Sequence, residues 1–131
     1  MAGVNSWLNI FSLVDYQLSL GMQPFFEVSY VPSWMSSDNC TKKVMGYGGC
    51  CAPPASYQQW SNLLAEFGSA LIGRYGITQA RAFRFEVWNE LDCLNSTEYH
   101  QIYQATAVGL KRASKDLMVG GPGTISQVIL T

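Results

Sequence analysis

Apolar positions in the first twenty residues recur at spacings of three and four, so that Trp7, Ile10, Phe11, Val14 and Leu18 share one stripe. That is the period of a helix with one buried face. Asn5 or Ser6 is placed to cap its start and Gly21 to end it. The pattern then changes. After Pro24 comes a compact run, Phe25-Phe26-Glu27-Val28-Ser29-Tyr30, rich in aromatic and β-branched residues and closed off by Pro32, which predicts a buried strand. Residues 31–54 are dense in Ser, Gly, Asn and Pro and hold every cysteine but one. A loop of that length usually serves a site or covers something.

The alternation continues. Ser56 and Gln59 have the spacing of a capping box at the head of a second helix, whose apolar face is Trp60, Leu63, Leu64, Phe67, Leu71 and Tyr75, with Gly76 as a left-handed stop. Phe83-Arg84-Phe85-Glu86-Val87-Trp88 predicts a second strand, with Asn89-Glu90 at its C-terminal end. Asn95 and Glu98 can cap a third helix burying Tyr99, Ile102, Tyr103, Thr106 and Leu110, and Leu117-Met118-Val119-Gly120 predicts a short third strand before Gly121-Pro122-Gly123. Helix and strand alternate three times, with connections long enough for right-handed crossovers between parallel neighbours, an α/β architecture. Three strands and three helices cannot cover both faces and both edges of a doubly wound sheet. Open edges imply that neighbouring βα units are missing.

Composition acts here by exclusion. With 48% hydrophobic and 13% charged residues in 131, the chain has enough apolar surface for a core and is not disordered. A net charge of −1, with no basic cluster beyond Lys42-Lys43 and Lys111-Arg112, argues against nucleic acid as a partner. Asp15, Gln17 and Ser19 interrupt the most apolar stretch, so no membrane span is expected. No basic n-region with a cleavage site is visible at the N-terminus, as would also be so for a chain beginning inside a longer protein. Cys40, Cys50, Cys51 and Cys93 form no C-x-x-C pair and His100 is alone, which points to a disulfide rather than a metal site, and no cofactor is expected.

In βα architectures reactive groups gather where strands end and loops begin, and Asn89-Glu90 holds that position. A carboxylate emerging from an apolar strand beside Trp88 is expected to be partly desolvated, which favours its protonated form and suits a general acid. The neighbouring carboxamide can hold a substrate hydroxyl or orient a second acid. A solvated strand terminus would carry the same two residues without any chemistry.

Phe85-Glu86-Val87-Trp88-Asn89-Glu90 resembles the acid/base strand of glycoside hydrolase family 39, the family of β-xylosidases and α-L-iduronidases. The flanks agree: the stretch from Gly21 through Tyr30-Val31-Pro32-Ser33-Trp34 resembles the family's preceding strand and loop. Pro53-Pro54 to Trp60, with Arg74-Tyr75-Gly76, resembles the intervening helix, and Val119-Gly120-Gly121-Pro122 the next strand. The likeness is collinear over most of the chain. It implies a partial (β/α)8 TIM barrel of about three consecutive βα units, covering about the third to fifth strands of a catalytic domain over residues 1–131. It implies a retaining hydrolase with Glu90 as acid/base and a glutamate near the end of the seventh strand, outside this chain, as nucleophile. Leu91 stands where many relatives carry proline.

Glu27 and Glu86 are rival acids within strands, better explained as internal, hydrogen-bonded carboxylates. Trp34 is a candidate wall of the sugar pocket through stacking on its ring, against ordinary loop packing. Asn39-Cys40-Thr41 and Asn95-Ser96-Thr97 match the N-glycosylation pattern and, with four cysteines, lean the context toward secretion or the lysosome. In a barrel the loops after adjacent strands are neighbours, so Cys93 is expected to pair with Cys40, Cys50 or Cys51. Two functions follow: a retaining exo-glycosidase acting on a β-xyloside or a related pentose or uronic acid, or an inactive barrel fragment serving as a carbohydrate-binding or interaction piece.

Overall fold

The computed structural model describes residues 5–44, 49–90 and 93–123. It contains three helices, α1 (Leu8–Ser19), α2 (Tyr57–Ala80) and α3 (Ser96–Ala113), and three strands, β1 (Phe25–Val28), β2 (Arg84–Val87) and β3 (Met118–Gly120). The strands form one parallel sheet in the order β1-β2-β3. Phe25 pairs with Arg84 and Val28 with Val87, while Arg84, Phe85 and Glu86 pair with Met118, Val119 and Gly120. Sequential strand order with right-handed crossovers puts the connecting helices on one side of the sheet.

The strand period sorts side chains between that side and the other. Phe26, Val28, Phe85 and Val87 face the helices, and Phe67 of α2 packs against Trp7, Phe26 and Phe85 with ring centroids 5.1, 5.4 and 6.3 Å away. Around these aromatics Val14, Leu64, Leu71, Phe83, Ile102, Leu110 and Leu117 complete the core. The opposite side is open: Phe25 is 63% exposed, and a shallow hollow of about 200 Å³ runs over Phe25, Arg84, Glu86 and Met118. The expectation of a buried first strand is therefore corrected, because the described residues cover only one of its faces. The strand also ends at Val28 rather than Tyr30, where the Ser29 amide turns back to donate to the Glu27 carbonyl at 3.0 Å.

Helix boundaries separate by the chemistry of their caps. In α3 the Asn95 side chain accepts from the Glu98 amide and the Glu98 carboxylate accepts from the Asn95 amide, both at 2.9 Å, a complete capping box. At α2 only half of the expected box forms: Ser56 accepts from the Gln59 amide at 3.3 Å. Gly76 leaves the helical region at φ 75°, as a left-handed stop should, but a further turn continues to Ala80. At α1 neither Asn5 nor Ser6 is the cap. Trp7 is, without a side-chain bond, because Asn5 donates its amide to Glu66 of α2 at 2.7 Å instead. Gly21 closes α1 at φ 73°.

The helices are held in place by two further contacts. Trp60 of α2 donates its indole N–H to Thr106 of α3 at 2.7 Å in the buried interface. Gly109 lets α3 lie on α2 so closely that a Cβ there would press the Ser61 carbonyl oxygen and meet Leu64 Cβ at 2.9 Å. Gly109→Ala should therefore destabilise the fold by about 1–3 kcal/mol, the usual cost of overpacking a tight contact. Thermal or chemical unfolding checks this, and an unchanged or raised midpoint would refute the close approach.

Candidate active site

The parallel sheet brings the loops after β1 and β2 out at the same end. The backbone turns sharply where β2 stops: Trp88 has φ 70° and Glu90 φ 52°, a region that bulky L residues enter only when the surroundings hold them there. Trp88 is 1% exposed. Its amide extends the ladder by donating to the Val28 carbonyl at 3.3 Å, and its indole N–H has no partner among the described residues. With the indole buried, the turn delivers Asn89 and Glu90, both half-buried, to the rim of the sheet.

Underneath, Tyr99 of α3 donates its hydroxyl to the Val87 carbonyl at 3.4 Å. Burial, reinforced by Tyr103 and Glu86, holds that phenol well above its ordinary pKa, so it stays a donor. Gly121 packs on the same spot, since a Cβ there would lie 3.0 Å from the Tyr99 hydroxyl and 3.2 Å from the Val87 amide and carbonyl. The strand end that carries Asn89-Glu90 is thus braced from the helix side and from β3.

The loop after β1 braces it from the other side. Asn89 donates its side-chain amide to the Tyr30 hydroxyl at 2.9 Å. Tyr30 was not singled out for a site role by the sequence, where it reads as the last aromatic of a strand. The loop itself is ordered by bridges between Val31 and Cys50, Ser36 and Pro54, and Lys43 and Cys50, and by two disulfides, Cys40–Cys50 and Cys51–Cys93. The second ties it to the segment following Glu90. Asp38 organises its tip, accepting from the Ser36 and Thr41 hydroxyls at 2.6 and 2.8 Å and from the Cys40 and Lys42 amides. Those bonds, the Ser36 hydroxyl first, hold its carboxyl well below the usual carboxylate range.

The remaining residues singled out by sequence fall as follows. Trp34 lies in a single 3-10 turn, Ser33–Met35, anchored by buried Met35, and its own side chain is 67% exposed. Glu27 and Glu86 are side by side in register on the open face of the sheet, Glu27 exposed and Glu86 half-buried. Asn39, at φ 55°, and the helix cap Asn95 are both exposed. Leu91 lies outside the described residues. Among the described residues no group of His, Cys, Asp or Glu could hold a metal ion, and no helix is long and apolar enough to cross a membrane.

A carboxylate and a carboxamide at the C-terminal end of a parallel strand, in a turn held from three sides, stand where the catalytic residues of βα barrels gather. The family described as Glycosyl hydrolases family 39 matches residues 2–130. The chain belongs to glycosyl hydrolase family 39. A beta-xylosidase of Caldicellulosiruptor saccharolyticus is 39% identical over 125 residues, 91% of this chain and 25% of that protein. The alpha-L-iduronidase of Mus musculus is 35% identical over 72 residues, 50% of this chain and 11% of that one. The crystal structure of a monomeric beta-xylosidase from Caulobacter crescentus CB15 matches with a TM-score of 0.81 at 31% identity, over 95% of this chain and 26% of the other. This three-stranded α/β segment therefore has the fold of a TIM-barrel family, and the chain spans about a quarter of the length of the beta-xylosidases it matches.

The disulfide pairing has a direct check. Proteolysis of the unreduced protein followed by mass spectrometry should yield one linked cluster, in which the peptide holding adjacent Cys50 and Cys51 carries both the Cys40 and the Cys93 peptides, and fragmentation between Cys50 and Cys51 should assign Cys40 to Cys50 and Cys93 to Cys51. Free thiols, or Cys93 joined to Cys40 or Cys50, would contradict the loop geometry. Replacing Cys51 and Cys93 together by Ser, which opens a loop of sequence separation 42, should cost about 2–4 kcal/mol in unfolding.

Proposed function

We propose that this chain is the acid/base segment of a retaining, β-xylosidase-like glycosidase, contributing about the third to fifth strands of a (β/α)8 catalytic barrel over residues 1–131. The single observation that carries the reading is the braced turn at the end of β2, which presents Asn89 and Glu90 together at the loop end of a parallel sheet. Family membership supports the glycosidase assignment. The xylosidase match runs over 91% of the chain and the iduronidase match over 50%, which favours the xylosidase branch.

In this reading Glu90 gives its proton to the glycosidic oxygen as the bond to the anomeric carbon breaks. A second carboxylate, on a barrel strand outside residues 1–131, attacks that carbon to form a glycosyl-enzyme. Glu90, now a carboxylate, takes a proton from the water that releases the sugar. Asn89 holds a sugar hydroxyl, and exposed Trp34 offers a ring for an apolar sugar face. The open face of the sheet, with its hollow over Phe25 and Met118, belongs against the remaining barrel strands, and without them the segment has no catalytic activity. Two disulfides and exposed Asn39 and Asn95 support a secreted or lysosomal protein. The competing reading, an inactive piece that binds carbohydrate, draws on the same open face.

The test is Glu90→Gln in the full-length protein. The kcat/KM for xylosides with poor leaving groups should fall about 10²–10⁴-fold, the usual worth of a positioned acid, while kcat/KM for activated aryl xylosides, whose first step needs no proton, falls much less. Equal losses on both classes, or no loss, would remove Glu90 from the acid/base role. Xylan-derived sugars binding to the protein with no turnover at all would favour the competing reading.

A further inference from the structure

The carboxamide beside the acid has a support of its own. An asparagine at a strand end rotates broadly about its last torsion, yet Asn89 is half-buried with one of its two amide N–H groups committed to the Tyr30 hydroxyl at 2.9 Å. The other N–H and the carbonyl oxygen are left for a ligand.

Tyr30 is itself wedged. Its ring stands edge-on to buried Trp88, centroids 5.3 Å apart at 88°. On another side the backbone of Gly49 lies so close that a Cβ there would come within 2.7 Å of Tyr30 Cβ and Cδ2 and 2.9 Å of Cγ. Only glycine permits that approach. Gly49 is in turn fixed by the cystine beside it. The Cys40–Cys50 disulfide, the bridges from Cys50 to Val31 and Lys43, and the bond from the Val44 amide to the Gly49 carbonyl at 3.0 Å hold this strip of loop in place. Cys51, the next residue, runs to Cys93 beyond Glu90.

We propose that Tyr30, clamped between Trp88 and Gly49, is a positioning residue that sets the amide of Asn89 for its sugar hydroxyl. The inference rests on the glycosidase reading above. Tyr30 touches neither the scissile bond nor Glu90's proton in this role. It removes the rotational freedom of Asn89 before substrate arrives, so the contact is in place when the transition state forms.

The test is a double-mutant cycle in the full-length enzyme, using an aryl β-xyloside, with Tyr30→Phe, Asn89→Ala and the pair. Tyr30→Phe should lower kcat and kcat/KM together, roughly five- to tenfold, with KM within about twofold, as expected when an interaction that matters in the transition state is loosened. The loss should be the same for good and poor leaving groups, unlike that of Glu90→Gln. In the Asn89→Ala background Tyr30→Phe should cost nothing further.

A full rate in Tyr30→Phe, or the same loss repeated on top of Asn89→Ala, overturns the proposal. Should Tyr30→Phe fail to fold, Gly49→Ala keeps the hydroxyl but displaces the ring, and should show the same joint fall in kcat and kcat/KM; a full rate there overturns the proposal equally. Glu90→Gln assayed in parallel separates the two levels. An unaffected Glu90→Gln sinks the glycosidase reading, whereas a crippled Glu90→Gln beside a fully active Tyr30→Phe sinks only the role of Tyr30.

Discussion

The parallel register of β1 and β2 is the constraint from which the chemistry-bearing end of this molecule follows. Pairing Val28 with Val87 makes both strands stop at the same height, and the Trp88 amide takes one more rung from Val28. Tyr30 lies two residues past Val28 on one strand and Asn89 two past Val87 on the other, and the two side chains meet. A slip of one residue would reverse every side chain on the strand, sending Phe85 and Val87 out of the core and the Asn89 amide away from Tyr30. What opposes the slip is the cluster in which Phe26 and Phe85 stack on each other at 5.2 Å and Phe67 packs edge-on against both, a contact between a helix and two strands. The site is therefore held from the core outward, and the disulfides act on a geometry that burial has already selected.

How much of this was legible in the chain depends on the range of the interaction. The stripe from Trp7 to Leu18, the stripe from Trp60 to Tyr75 and the aromatic strand at Phe83 are local periodicities, and each became the element that its period implies. The Asn95–Glu98 box is likewise contained within four residues. Asn5 was misread because its partner, Glu66, is on another helix, and a capping residue with a better tertiary offer stops capping. The exposure of Phe25 was misjudged for a similar reason. Its composition describes a strand buried on both faces, and the described residues supply a cover for one.

The site divides along the same line. Asn89-Glu90 could be found from position alone, at the end of an apolar strand. The support for that pair could not, because it comes from residues 59 and 40 positions before Asn89, Tyr30 and Gly49, which carry no local signature of a site. A tyrosine closing a strand and a glycine in a glycine-rich loop are ordinary. Only the fold reveals that the glycine is needed because an aromatic ring lies against its backbone. The left-handed backbone at Trp88 and Glu90 was equally hidden, since neither residue type favours it and it depends on contacts from distant parts of the chain.

The central claim is that Glu90 is the acid/base of a retaining reaction, and azide rescue of Glu90→Ala in the full-length protein tests it most directly. With the carboxylate gone, no general base assists water, and a small anion can take its place at the anomeric carbon of the glycosyl-enzyme. The account predicts that azide accelerates turnover of an activated aryl β-xyloside by this variant and that the product is β-xylosyl azide, of the same anomeric configuration as the substrate. No acceleration, or an α-configured azide, which would mark Glu90 as the nucleophile instead, would contradict it.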